Sequence, residues 1–252
     1  MENPFKNLFK KKSKDNPEEI KTDSTKKKKN FFGDFLKNKL GKSAVQGEEI
    51  VGVELTSGEI RLAQLTSDKS NQWILDKFYT HKILDADEES TVLANPDKIA
   101  EELKLAIQKS KINTTNAAIA IPVTSAIIRV VTAPLMTEEE LLNAIQTDSL
   151  WENLVQLTDN LDDYSIFHQI ISKNDKANTM DILFVASKLS DINSYTDIVK
   201  KGGLNVVIID VKCFALKSAV DQINHISGSI EETNLTAILE FGLDENYVML
   251  SL

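Results

Sequence analysis

The order in which strand-like and helix-like runs follow one another from Glu49 constrains this chain more than any single motif does. Ile50-Val51-Gly52-Val53-Glu54-Leu55 has the pattern of a buried strand, and Ile60-Arg61-Leu62-Ala63-Gln64-Leu65 alternates as a half-buried one. Thr56-Ser57-Gly58 supplies the turn that pairs them, and residues 72–83 read as a third strand. Asn95-Pro96-Asp97 then marks a helix start, with proline at the first helical position, and Ile99, Leu103 and Ile107 fall on one face of that helix. Residues 117–123 are apolar enough for a further buried strand.

Residues 125–203 read as a small unit spliced in at this point. Ala126-Ile127-Ile128-Arg129-Val130-Val131 is a strand, and Thr137-Glu138-Glu139-Glu140 is a capping box opening a helix to about Asn153. Two strands follow, over 164–171 and 180–186, with a polar turn between them. A helix from Ser190 carries Ile192, Tyr195 and Val199 inward and stops at Gly202-Gly203. The unit is therefore predicted as βαββα. Residues 206–210 re-enter the main core as a strand, residues 212–226 form a helix, and residues 235–240 and 247–252 form a hairpin around 241–246. Three antiparallel strands, a helix and another strand are the order of an RNase-H-like α/β core, the unit of actin-like folds. The expected division is 49–124 with 204–232 as the first core, 125–203 as an α+β insert, and 233–252 as the opening hairpin of a second, truncated core.

Charge divides the chain differently. The net charge is −9, yet residues 1–49 hold 13 lysines against 8 acids, leaving a strongly acidic body. Nucleic acid is excluded as a main partner, because duplex affinity comes largely from basic groups neutralising phosphates. Residues 1–48 form a low-complexity basic tail whose first 30 residues are expected to be disordered, with a short helix over 31–40. Its lysines and aromatics, Phe5, Phe9, Lys10, Lys11, Lys12, Lys27, Lys28, Phe31 and Phe32, suit contact with an anionic membrane surface; a solvated linker is the plainer reading. No apolar run approaches the roughly 20 residues that cross a bilayer, and the N-terminus lacks a secretory pattern, so a cytoplasmic protein is expected. Cys213, the one cysteine, sits in an apolar run and reads as a small buried hydrophobe.

Four stretches carry a family resemblance: Gly52-Val53-Glu54-Leu55-Thr56-Ser57-Gly58-Glu59-Ile60-Arg61, Ala117-Ala118-Ile119-Ala120-Ile121-Pro122, the acidic helix over 137–151, and Asp210-Val211-Lys212-Cys213-Phe214-Ala215-Leu216. In their order and spacing, together with the basic Phe/Lys tail and Glu240-Phe241-Gly242, they resemble the PilM family of type IV pilus assembly proteins. That family has Gly-Ile-Asp at the first site, an Asp-Val-Glu-Ala-Tyr-Ala-Leu-like turn at the fourth, and Asp-Ile-Gly where Glu240-Phe241-Gly242 stands. The resemblance implies an actin-like fold with nucleotide phosphates between two cores. It also implies a groove, between the first core and its insert, that binds the N-terminal cytoplasmic peptide of an inner-membrane pilus protein of the PilN kind. The protein would then be peripheral at the inner face of the cytoplasmic membrane. The groove would draw on Ala126, Ile127, Ile128 and Val130 of the edge strand and Leu141 and Ile145 of the following helix, since an open strand edge can pair with an extended peptide.

The same resemblance implies ATP and Mg²⁺ as ligands of Glu54, Thr56, Ser57, Arg61, Glu240 and Gly242. The residues themselves run against this. Both phosphate-loop aspartates are glutamates here, which pushes each carboxylate about 1.5 Å further out and crowds a hydrated Mg²⁺. Asp244 and Asn246 stand where hydroxyls are usual, and Arg61 replaces the usual lysine. No measurable catalysis is expected. An active actin-like ATPase, the related platform protein of type II secretion, and a cell-division anchor are the competing readings. His81, His168 and His225 are scattered, without the spacing of a zinc site. The acids at 85–89 lack the glycine of a calcium loop, Asp159, Asp162 and Asp163 read as a loop leading into a strand, and no Walker loop, nucleophile elbow or dinucleotide fingerprint is present.

Overall fold

The computed structural model describes residues 49–67, 73–84, 91–146, 160–227, 236–242 and 244–251. The expectations on the basic tail, on residues 85–89, on Asp159 and on the helix beyond 146 lie outside them.

Strands β1 (Ile50–Leu55), β2 (Glu59–Ser67) and β3 (Trp73–Lys82) form an antiparallel meander, followed by helix α1 (Pro96–Ser110) and strand β4 (Asn116–Ile121). The alternation seen in sequence is the alternation of burial: Val51, Val53 and Leu55 on β1 and Ala117, Ile119 and Ile121 on β4 point into the core. β4 pairs in parallel with β1 on one side and with β8 (Asn205–Val211) on the other, giving the order β3-β2-β1-β4-β8. This is the mixed α/β sheet expected of an RNase-H-like core.

Between β4 and β8 the chain builds a second sheet. Strand β5 (Ala126–Pro134), helix α2 (Glu138–Gln146), strands β6 (Tyr164–Asn174) and β7 (Thr179–Lys188) and helix α3 (Leu189–Lys201) follow in that order, and the strands pair antiparallel as β5-β7-β6. The capping box forms as the sequence predicts: the Thr137 N–H donates to the Glu140 carboxylate at 3.0 Å, and the Glu140 N–H donates to the Thr137 hydroxyl at 3.2 Å. Val131, Ala133, Met136, Leu141, Ala144, Met180, Ile182 and Phe184 make the core of this sheet.

The buried side chains of α3, Ile192, Tyr195, Ile198 and Val199, belong instead to the core of the five-stranded sheet, where α3 lies against α1. Gly202, at the end of α3, permits that approach, because a Cβ there would stand 2.6 Å from a methyl of Leu103. Helix α4 (Lys212–Ser227) follows β8, and β9 (Thr236–Phe241) pairs with β10 (Asn246–Ser251) as a separate hairpin. Tyr247 and Met249 pack the hairpin onto the main core, while Leu239, Phe241, Val248 and Leu250 face outward. Cys213 is buried at the start of α4, and that burial, the largest influence on it, pushes its thiol up to about 11, out of reach of nucleophilic chemistry at neutral pH. Among the described residues, no helix is long and apolar enough to cross a membrane.

Candidate functional site

The loops that close the β1–β2 and β9–β10 hairpins meet. Thr56 shapes the first from within: its N–H and its hydroxyl both donate to the Glu59 carbonyl, at 3.0 and 2.8 Å, and the hydroxyl accepts from the Glu59 N–H at 3.0 Å. The neighbouring Ser57 points its donors outward. Its N–H reaches the two carboxylate oxygens of Asp244 at 2.9 and 3.2 Å, and its hydroxyl reaches Oδ1 at 2.5 Å. In the second loop, the Gly242 N–H donates to the Glu245 carbonyl at 3.0 Å. A side chain at Gly242 would meet that carbonyl at 2.9 Å and Glu240 Oε1 at 3.1 Å, so the position is restricted by space.

Beneath the loops lies a network of charges. Lys212, the first residue of α4, sends Nζ to Glu54 Oε1 at 2.9 Å, Glu240 Oε1 at 2.8 Å and Glu245 Oε1 at 3.8 Å, with its side chain only 12% exposed. A cation at a helix N-terminus opposes the helix dipole, and the surrounding carboxylates offset that cost. Arg61, directly across the ladder from Glu54, binds Glu54 Oε2 at 2.8 Å and also pairs with Glu59. Glu245 is buried, and its Oε2 accepts the Val123 N–H at 2.7 Å, which ties the second loop to the end of β4.

Burial alone pushes the Glu54 carboxyl up, but the hydrogen bonds and charges of Lys212 and then Arg61 outweigh it and hold the carboxyl below its ordinary 4.5. For Glu245 burial wins, and its carboxyl is raised. The two therefore act with opposite sign. Glu54 contributes stability that is present above 4.5 and lost as pH falls through its lowered value, whereas the contribution of Glu245 is present below 4.5 and lost as pH rises through its raised value. Removing Glu54 isolates the first effect: between neutral pH and pH well below 4.5, the melting temperature of wild type should fall further than that of Glu54→Gln. Parallel melting curves against pH for the two proteins would show Glu54 to be a spectator.

The six residues expected around a nucleotide are thus brought together, but on one another. Glu54, Arg61 and Glu240 lie in the ion network, Ser57 is bound to Asp244, Thr56 is spent inside its own turn, and Gly242 lies against Glu240 and Glu245. Acids outnumber bases there, with Glu54, Glu59, Glu240, Glu245 and Asp244 set against Lys212 and Arg61. As they stand, these residues do not fit a nucleoside triphosphate with its Mg²⁺. Sequence reasoning missed Lys212 and Glu245. The lysine had a signal, since it stands where the resembled turn carries a glutamate; Glu245 had none short of the fold.

The residues expected to hold a peptide are distributed over β5 and α2. β5 is an edge strand of its sheet. Ala126 and Ile128 are half-buried against the main core, and Ile127 turns the other way, onto the core of the small sheet. Val130 lies on the same side of the strand as Ile128 and is 61% exposed. Leu141 is 1% exposed and Ile145 packs on the small core, so both support the sheet from behind.

The model of the family described as type IV pilus assembly protein PilM matches residues 52–250. The chain belongs to the PilM family. No curated protein matches it in sequence. Among solved structures, this PilM-family chain is similar to one described as a PilM–PilN type IV pilus biogenesis complex, with a TM-score of 0.63 at 15% identity over 80% of this chain and 57% of that one. It therefore spans little more than half the length of that relative, and at this identity the likeness establishes a shared fold. A weaker similarity links it to the cytoplasmic domain of EpsL, an inner-membrane component of the type II secretion system of Vibrio cholerae, with a TM-score of 0.45 and 13% identity over 80% of this chain and 71% of that one.

Proposed function

We propose that this PilM-family chain is a cytoplasmic scaffold of type IV pilus assembly that holds an extended N-terminal peptide of a PilN-like inner-membrane partner along the open edge of β5. The observation that carries the reading is the course of that strand. Ile128 is anchored against the main core, Val130 emerges two residues later on the same face, and among the described residues the strand has a neighbour on one side only. An added strand gains main-chain hydrogen bonds along such an edge and takes its specificity from side chains beside it. The solved PilM–PilN complex supports the choice of partner. The separate strand orders of the two sheets support treating 125–203 as an insert on a first core made of 49–124 and 204–232. The lysines and aromatics of residues 1–48 would add contact with the anionic inner face of the membrane.

Titration calorimetry with a synthetic peptide from the partner's cytoplasmic N-terminus tests this. Wild type should bind, and Val130→Asp, which places a charge beside the edge, should weaken binding by about tenfold or more. Equal affinity of the two proteins, or no heat at high micromolar peptide, would remove the edge from consideration. The competing reading of an active ATPase gains no support from the loops, whose donors and acceptors are engaged with each other.

A further inference from the structure

We propose that Lys212 and Asp244 occupy, from within the chain, the cation and anion positions between the two hairpin loops, so that the ion pairs of Lys212 and the hydrogen bonds of Asp244 lock the loops together in place of a nucleotide and its metal. Three observations converge on this. Asp244 presents a carboxylate to the Ser57 N–H and hydroxyl, the pair of donors that a β-hairpin loop of this kind would turn toward a phosphate oxygen. Lys212 places a positive charge within 3 Å of both Glu54 and Glu240, the two carboxylates that the fold directs at the space between the loops. Glu245 then fastens the second loop to the Val123 N–H, so the hairpin is held at a third point.

The departures from the family pattern fit together as one change. A lysine at 212 needs opposed carboxylates, and aspartates at 54 and 240 would stop about 1.5 Å short of its Nζ, beyond hydrogen-bonding distance. Lengthening both acids and reversing the charge at 212 produces a closed set of ion pairs that neither acids nor lysine would make alone. Removing the lysine leaves Glu54, Glu240 and Glu245 facing one another with Arg61 as the remaining base, held at Glu54 and Glu59.

Two measurements on the full chain test the lock. In wild type, millimolar ATP with Mg²⁺, and Mg²⁺ alone, should change neither the melting temperature nor the amide hydrogen exchange of residues 236–242 and 244–251. In Lys212→Met the amides of that hairpin should exchange at least about tenfold faster, and protection should return only in part when Glu54→Gln and Glu240→Gln are added, because the triple variant no longer strands those two carboxylates but also lacks the ion pairs that hold the loops, with Glu245 left without its lysine. Saturable protection of the wild-type hairpin by ATP with Mg²⁺ overturns the proposal. So does unchanged hairpin exchange in Lys212→Met. Should Lys212→Met fail to fold, recovery of the fold in the triple variant supports the lock, failure of both counts against it, and the wild-type nucleotide measurement stands independently.

Discussion

Replacing Phe184 by alanine should cost the chain about 3–5 kcal/mol, the largest loss expected from any one side chain of the three-stranded sheet. Phe184 is 0% exposed, at the centre of the middle strand β7, with Leu141 and Ala144 of α2 among the residues of its core. Among the described residues that core is small, and the cost depends on how far its members can relax into the cavity. At the usual conversion for a domain of this size, the melting temperature should drop by about 10 °C. Phe167, on the neighbouring strand and 45% exposed, is the control, and its alanine variant should change stability by well under half as much. Chemical denaturation followed by circular dichroism measures both, and a Phe184→Ala loss below about 1 kcal/mol would show the small core to be loosely packed.

The second large effect belongs to the contact between α1 and α3. Leu103→Ala should cost about 2–5 kcal/mol, since Leu103 is fully buried under Gly202. Gly202→Ala should cost about 1–3 kcal/mol for the opposite reason, because the new methyl must push into the Leu103 side chain. Together they should cost less than their sum, as the added methyl enters the space that the leucine vacates. Gly203 has the reverse problem: its φ of +102° disfavours a side chain, although open space surrounds it. Its alanine variant should be destabilised by backbone strain alone, with no relief from Leu103→Ala. A double-mutant cycle separates the two, and strict additivity at 103 and 202 would mean that the helices shift apart instead of colliding.

The reasons why some of this was legible in sequence are local. Val51, Val53 and Leu55 alternate with residues facing the other side of the sheet, Pro96 sits where only a helix start tolerates it, and Gly202-Gly203 ends α3 where the periodic pattern runs out. Each signal depends on neighbours within one turn or one strand. The site was legible only in its parts. Glu54 and Glu240 announced themselves by departing from a motif, but their shared partner Lys212 and the meeting of Ser57 with Asp244, 187 positions apart, are products of the completed sheet. Leu141 is expected in the peptide groove that the resemblance implies, whereas α2 turns it onto Phe184's core. Likewise, α3 closes the run of elements in the small unit yet packs on the large one, a choice made by Gly202 and Leu103 that no periodicity encodes.

The position of β4 has a bearing on how the molecule is made. Its partner β8 lies beyond the whole of the second sheet, so while the polypeptide emerges from the ribosome β4 can dock on β1 long before its other side is satisfied. During that interval Asn116–Ile121 presents a run of unpaired amides and carbonyls to its surroundings. Synthesis of everything from Pro122 to Leu204 sets how long the nascent protein must be kept from pairing with a stranger.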